Sequence, residues 1–287
     1  MRRNLTRSTL FAMFTAVFAG SAAAQVAPPL GVARQFGVLG NSAVTGATGS
    51  GVVVNGDVGS SPTSSISNFP PSTVALPFSL HPTNDGVVVQ ARIDTNAAYV
   101  QMLGQGAGTV LPDNLATVGA LGPGLYSFAT GAPDLPASAT LTLNGAGIFV
   151  FNVGSSLTAN VLSNVVGTAD PCNIYWRVGS SATLNGNTFR GTVISSASIT
   201  VGAGASLAGR ALAGAGATGA VTMAGSGGNT IGGCNGAGVI LPLPPPVPTM
   251  PQVVLFLLAI TLVTLSYFRL KGQALLAQTT PAAPGTR

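Results

Sequence analysis

One short phrase recurs along this chain and limits what it can fold into. Residues 151–161 read FNVGSSLTANV and residues 176–186 read WRVGSSATLNG. Aligning the two brings out further copies. They are Ser42-Ala43-Val44-Thr45, Ala137-Ser138-Ala139-Thr140, Ser155-Ser156-Leu157-Thr158, Ser180-Ser181-Ala182-Thr183, Ala197-Ser198-Ile199-Thr200 and Gly219-Ala220-Val221-Thr222. The last five threonines are spaced 18, 25, 17 and 22 residues apart. A period near twenty is too short for a propeller blade of about 40–45 residues. It suits one turn of a β-solenoid, with three short strands, three corners and successive turns about 4.8 Å apart.

Alternation along a strand sorts each phrase into two faces. The residues flanking each threonine point inward together: Ala139 with Leu141, Leu157 with Ala159, Ala182 with Leu184, Ile199 with Val201, Val221 with Met223. The outward set is then Thr45, Ser138, Thr140, Ser156, Thr158, Ser181, Thr183, Ser198, Thr200, Ala220 and Thr222, an uncharged surface of small hydroxyl side chains. Composition agrees with strands. Glutamate is absent, glycine numbers 39 and proline 20, whereas helical surfaces draw on Glu, Lys and Arg. Segments such as GIFVFNV, NIYWRV, RGTVIS and GRALAG supply strands for the other faces. Gly and Asn between them supply the corners. One segment departs from the pattern. Over residues 84–103, Val89, Ile93, Ala97, Val100 and Leu103 recur at helical spacing, with Asn84 or Asp85 as cap and Gly104 as stop. That predicts one amphipathic helix packed along the solenoid by this stripe.

The ends read as targeting segments. Residues 1–24 carry Arg2, Arg3 and Arg7, an apolar run and a small-residue cleavage site, the pattern of a secretory signal peptide; a first membrane helix is the other reading. The exported domain then spans 25–240, followed by a stiff proline linker over 241–252. Residues 253–268 are free of charge and are closed by Arg269 and Lys271, which predicts a transmembrane helix with residues 269–287 as a basic cytoplasmic tail. The VPTM, apolar helix and basic cluster resemble C-terminal sorting signals of Gram-negative bacteria, which implies a sorting protease as a partner; a plain membrane anchor is the alternative. The expected location is the outer face of the cytoplasmic membrane, the periplasm or the cell surface. Cys172 and Cys234 fit a disulfide in such an exported domain, with two buried thiols as the alternative. A bridge would stabilise by roughly 4 kcal/mol in the chain-entropy model.

Chemistry is sparse. Between residues 25 and 245 there are five arginines and six aspartates, so no basic stripe exists to neutralise phosphates and nucleic acid is excluded. Two Cys and one His do not make a zinc site. His81 reads as a structural residue at a helix entry rather than a general base or ligand. Asp57, Asp85, Asp94, Asp113, Asp134 and Asp170 are scattered, mostly beside turn residues. No nucleophile elbow or phosphate loop is present. No enzyme, cofactor or metal is expected, and the chain is expected to act as a monomer.

The stretches FGVLGNSAVTGATGSGVVVNGDVGSSP (36–62), LGPGLYSF (121–128), GIFVFNVGSSLT (147–158), CNIYWRVGSSATL (172–184), GTVISSASITVGAGASLAGRALA (191–213) and AVTM (220–223) together resemble the microbial ice-binding protein family with a discontinuous β-solenoid. The resemblance runs from about residue 30 to 233. It implies an all-β fold, a right-handed three-faced β-solenoid with one long α-helix alongside, and an ice crystal surface as the partner of one flat face. Family members carry Thr-Ala/Gly-x-Thr/Asn on that face. Here Thr140, Thr158, Thr183, Thr200 and Thr222 match the second threonine, while Ala137, Ser155, Ser180, Ala197 and Gly219 stand at the first. The rival reading is a structural or adhesive surface solenoid that meets glycan or another cell.

Overall fold

Short strands bounded by glycine, asparagine and serine corners can bury their apolar residues only by stacking turn upon turn, and the chain does so. The computed structural model describes residues 25–216 and 218–234. The expected leader, proline linker, apolar segment and basic tail lie outside the described residues. Among the described residues, no helix is long and apolar enough to cross a membrane. The described strands pair in parallel and form two sheets of seven and fourteen strands.

The pairings resolve into three ladders. The first is the seven-stranded sheet, in spatial order Asp134–Leu135, Leu157–Ala159, Ala182–Leu184, Ile199–Val201, Ala220–Met223, Ala43–Thr45 and Ile66–Ser67. The second runs Thr140–Thr142, Asn164–Val166, the start of Thr188–Ser195, the start of Ser206–Leu212, Asn229–Gly232, Val52–Asn55 and Thr73–Val74. The third takes Thr109–Leu111, Gly124–Phe128, Phe149–Val153, Ile174–Val178, the second halves of the two long strands, Phe36–Gly40, Asp57–Ser60 and Leu80–His81. The two long strands turn the corner between the second and third ladders at Gly191 and Gly209, which lie side by side at φ 115° and 155°. A Cβ on Gly209 would collide with the Gly191 carbonyl oxygen, so both positions need glycine.

In all three ladders the stack is out of chain order. The strands of residues 36–81 dock beyond those of residues 206–232, which come last among the described residues. Residue 81 therefore ends at one pole of the stack and residue 109 begins at the other. The third ladder has nine strands, so eight steps of about 4.8 Å, or about 38 Å, separate its poles. A single helix, α1 (Gly86–Gly104, 19 residues), supplies most of that return, covering about 28 Å at 1.5 Å per residue.

Inside the coil, Tyr126, Phe151 and Trp176 stack with ring centroids 5.2 and 3.9 Å apart, and Phe189 closes against Trp176 at 5.2 Å. A second apolar layer, including Phe36, Leu39, Val150, Tyr175, Ile194 and Leu212, lies between the third ladder and α1. The helix faces this layer with a side that its apolar spacing does not mark. The buried residues are Val88, Ala91, Arg92, Thr95, Ala98 and Met102. The expected stripe is turned outward: Val89, Ile93, Ala97, Val100 and Leu103 are exposed, Val100 at 64%. The seam selects small residues, since Ala91, Thr95 and Ala98 let the helix backbone approach a sheet already filled by aromatic and branched side chains. Its polar members find carbonyls: Arg92 Nη1 donates to Ala213 O at 2.8 Å and Thr95 Oγ1 to Ala91 O at 2.8 Å. Cys172 and Cys234 form a disulfide, with Cα atoms 5.2 Å apart.

Candidate functional site

Three-residue strands of the form apolar-Thr-apolar can bury two side chains and must present the third. In the first ladder Thr158, Thr183, Thr200, Thr222, Thr45 and Ser67 stand directly opposite one another across five successive pairings. At about 4.8 Å per strand the column is about 24 Å long. Its members are half-buried, except Ser67, which is exposed. The flanking residues Leu157, Ala159, Ala182, Leu184, Ile199, Val201, Val221 and Met223 are buried in the coil. Threonine is stiff at χ1, so a column held by backbone ladders and backed by a packed core presents its methyls and hydroxyls at fixed positions. No charged side chain interrupts the column from Thr158 to Ser67. Asp134 stands opposite Thr158 at the end of the ladder, where Asn160 Nδ2 donates to its Oδ1 at 2.6 Å.

The serines two residues before the threonines lie at the mouth of the same strands. Leu157 N donates to Ser181 O at 3.1 Å and Ala182 N to Ser198 O at 3.0 Å, so these serines continue the ladder. Ser156, Ser181 and Ser198 are half-buried, as is Ala220. The Ser198 hydroxyl accepts from Ala220 N at 3.1 Å.

Two expected members are elsewhere. Thr140 pairs with Asn164 in the second ladder, and Ser138 sits in the turn before it at φ 61°. In that coil the first-ladder position is taken by Asp134–Leu135. The phrase at 137–140 therefore falls one corner later. Residues 134 and 140 lie 24 residues before their partners 158 and 164. Spacing alone does not mark the displacement, since Thr140 precedes Thr158 by 18 while Thr183 and Thr200, 17 apart, pair in the first ladder. Sequence reasoning also passed over Ser67, whose Oγ lies 3.4 Å from Thr45 Oγ1. Its IleSerAsn context lacks threonine, and only the inward Ile66 marks it as a further copy.

Away from this face, His81 lies between two aspartates at the entry to α1, one four residues on and one from an earlier strand. His81 Nδ1 lies 2.8 Å from Asp85 Oδ2, and His81 Nε2 lies 3.6 Å from Asp57 Oδ2. Asp85 caps the helix by accepting from Val87 N and Val88 N, both at 3.0 Å. Its hydrogen bond with His81, and then that from Val88 N, hold its carboxyl below the usual carboxylate range. Among the described residues, no group of three or more His, Cys, Asp or Glu converges as a metal site would.

A column of threonines in register along a discontinuous parallel coil, with a helix returning beside it, can be set against known proteins. The Ice-binding-like family model matches residues 38–228. The chain belongs to this family. An ice-binding protein from Nostoc sp. (strain HG1) is 38% identical over 206 residues, which cover 68% of this chain and 71% of the relative. The crystal structure of an ice-binding protein from an Antarctic biological consortium superposes with TM-score 0.63 at 36% identity, covering 73% of this chain and 92% of that one. That of an ice-binding protein from the Antarctic ascomycete Antarctomyces psychrotrophicus gives 0.60 at 31% identity, covering 72% and 98%. As in those solved relatives of the Ice-binding-like family, parallel strands stack in a solenoid-like coil with one helix alongside.

Proposed function

We propose that the protein binds ice through the outward column of the first ladder, with Thr45, Thr158, Thr183, Thr200, Thr222 and Ser67 at its centre and Ser156, Ser181 and Ser198 along its margin. The observation that carries the reading is the unbroken register of these side chains on an uncharged ladder. Ice offers no net charge to pair with. A surface that matches it must be level, weakly polar and rigid, so that waters ordered between the threonines join the lattice as bridging waters do in other wet interfaces. No bond is made or broken. Many weak contacts act together, and restraint of crystal growth follows from their number.

Export and tethering complete the proposal. The basic, apolar and small-residue pattern of residues 1–24 supports export, and the charge-free stretch 253–268 followed by Arg269 and Lys271 supports a membrane anchor. Held outside a Gram-negative cell as a monomer, with a sorting protease or the bilayer as its C-terminal partner, the face would hold the cell to ice or shape ice nearby. The test is an ice-recrystallisation and thermal-hysteresis assay of the protein beside its Thr183→Tyr/Thr200→Tyr variant. Activity in the parent and its loss in a variant with an unchanged melting curve are expected. An inactive parent, or a variant as active as the parent, would remove the assignment.

A further inference from the structure

The second ladder carries a column of its own. Thr140, Asn164, Thr188, Ser206, Thr230, Val53 and Thr73 stand opposite one another through six successive pairings. Each lies a few residues after its counterpart on the first ladder: 158 leads to 164, 183 to 188, 200 to 206 and 222 to 230. Coil after coil thus presents a small polar side chain on each of two adjacent ladders. The inward neighbours on this side, Leu141, Val165, Phe189, Leu207, Ile231 and Val54, are buried. The column is backed by the same packed interior as the first. Thr140, Thr230, Val53 and Thr73 are exposed, and the other three are half-buried. Neighbouring hydroxyls meet along it, with Thr230 Oγ1 donating to Ser206 Oγ at 3.0 Å. Val53 keeps the branched outline of threonine at the one apolar position. The single charge nearby is Arg190, two residues beyond Thr188. Its Nη1 and Nη2 donate to the carbonyls of Gly167 and Ala169, which holds the guanidinium on the backbone of the preceding coil.

We infer that the second ladder is a second ice-contact plane, meeting the first along the corner they share. The inference rests on the reading of the first ladder as an ice-binding face, because what the second repeats is the chemistry of the first: in-register hydroxyls and methyls, a rigid backing and no free charge. A single plane can seat on one crystal surface only. Two planes joined at a corner can also seat in a growth step, where two crystal surfaces meet, and the set of planes the protein decorates is then wider than one face allows.

Ice-plane labelling with the fluorescently tagged full-length protein tests this. Three proteins are compared: the parent, Thr183→Tyr/Thr200→Tyr on the first ladder, and Thr188→Tyr/Thr230→Tyr on the second. Melting curves confirm folding, and Ser206→Lys/Thr230→Lys replaces the last variant if the tyrosines unfold it. The second-ladder variant is expected to lose a subset of the planes the parent decorates. A second-ladder variant that decorates the same planes as the parent, at the same protein concentration, would overturn the inference while leaving the first ladder's role intact. Should the parent decorate no plane, both readings fall together.

Discussion

Thr200 is flanked in its column by Thr183 on one side and Thr222 on the other, so its hydroxyl is one of several and its methyl helps keep the column level. Replacing it with valine keeps the branched outline and removes one hydroxyl. Recrystallisation inhibition is expected to weaken only slightly in Thr200→Val, and much more in Thr200→Tyr, whose ring would stand above its neighbours. A large loss in the valine variant would show that the hydroxyl dominates the contact. Arg210 illustrates a different residue-level demand. It is almost wholly buried. Nε donates to Arg34 O at 3.0 Å, Nη1 to Thr192 Oγ1 at 3.0 Å and Nη2 to Cys234 O. Desolvation lowers its pKa to about 10. The fork joins the start of the domain, the third ladder and the disulfide in one side chain. Arg210→Met orphans three acceptors, each at ~1–3 kcal/mol where water cannot replace the donor, and a fall in thermal midpoint is expected. Arg210→Lys should not restore it, because an ammonium cannot reach three acceptors in a fixed planar arrangement. Equal stability of the lysine variant and the parent would contradict this.

The helix shows which features of an element its sequence expresses. Asp85 is the cap, and both the helix's existence and a cap at Asn84 or Asp85 follow from spacing and capping chemistry. The side it buries does not. Both sides are apolar enough, and the seam is decided by how closely the backbone can approach the third ladder, a property of the partner rather than of the helix. Ala98→Leu is therefore expected to destabilise by about 1–3 kcal/mol through overpacking, whereas Ile93→Gln on the outward stripe should leave the thermal midpoint nearly unchanged. The reverse order would show that the outward stripe is the packed one. The threonine column was legible for a related reason: its inward partners are apolar in every coil, so alternation alone sorts the faces. Thr140 was not, because the phrase cannot report which of two exposed ladders receives it. Asp85 adds a pH dependence at this scale. Its carboxyl is held low in the folded state, so its contribution is complete above the unfolded value of 3.8 and is lost as pH falls through the lower folded value. Asp85→Asn caps comparably without titrating. Its melting temperature should therefore fall less than the parent's below about pH 4, and parallel acid limbs for the two proteins would rule the cap out as the cause.

For the whole molecule, the out-of-order stack creates a seam where strands late in the chain receive the strands of residues 36–81. Asn229–Gly232 lies there, paired with the start of Ser206–Leu212 on one side and with Val52–Asn55 on the other. Cys234 lies two residues beyond it and is bonded to Cys172, at the entry to Ile174–Val178. The disulfide thus closes a chain separation of 62 residues and pins the last strand before the seam. Breaking it is expected to cost roughly 4 kcal/mol by loop-closure entropy. The loss should be local as well as global, because the contacts across the seam are the long-range ones that the bridge holds in place, whereas the central coils are supported by near-neighbour coils and by the Tyr126–Phe151–Trp176 stack. In a Cys172→Ser/Cys234→Ser variant, amide hydrogen exchange should accelerate first in residues 43–45, 52–55 and 229–232, and least in 149–153 and 174–178. Uniform acceleration across all coils would mean that the stack opens as one unit, and that the seam is no weaker than the turns on either side of it.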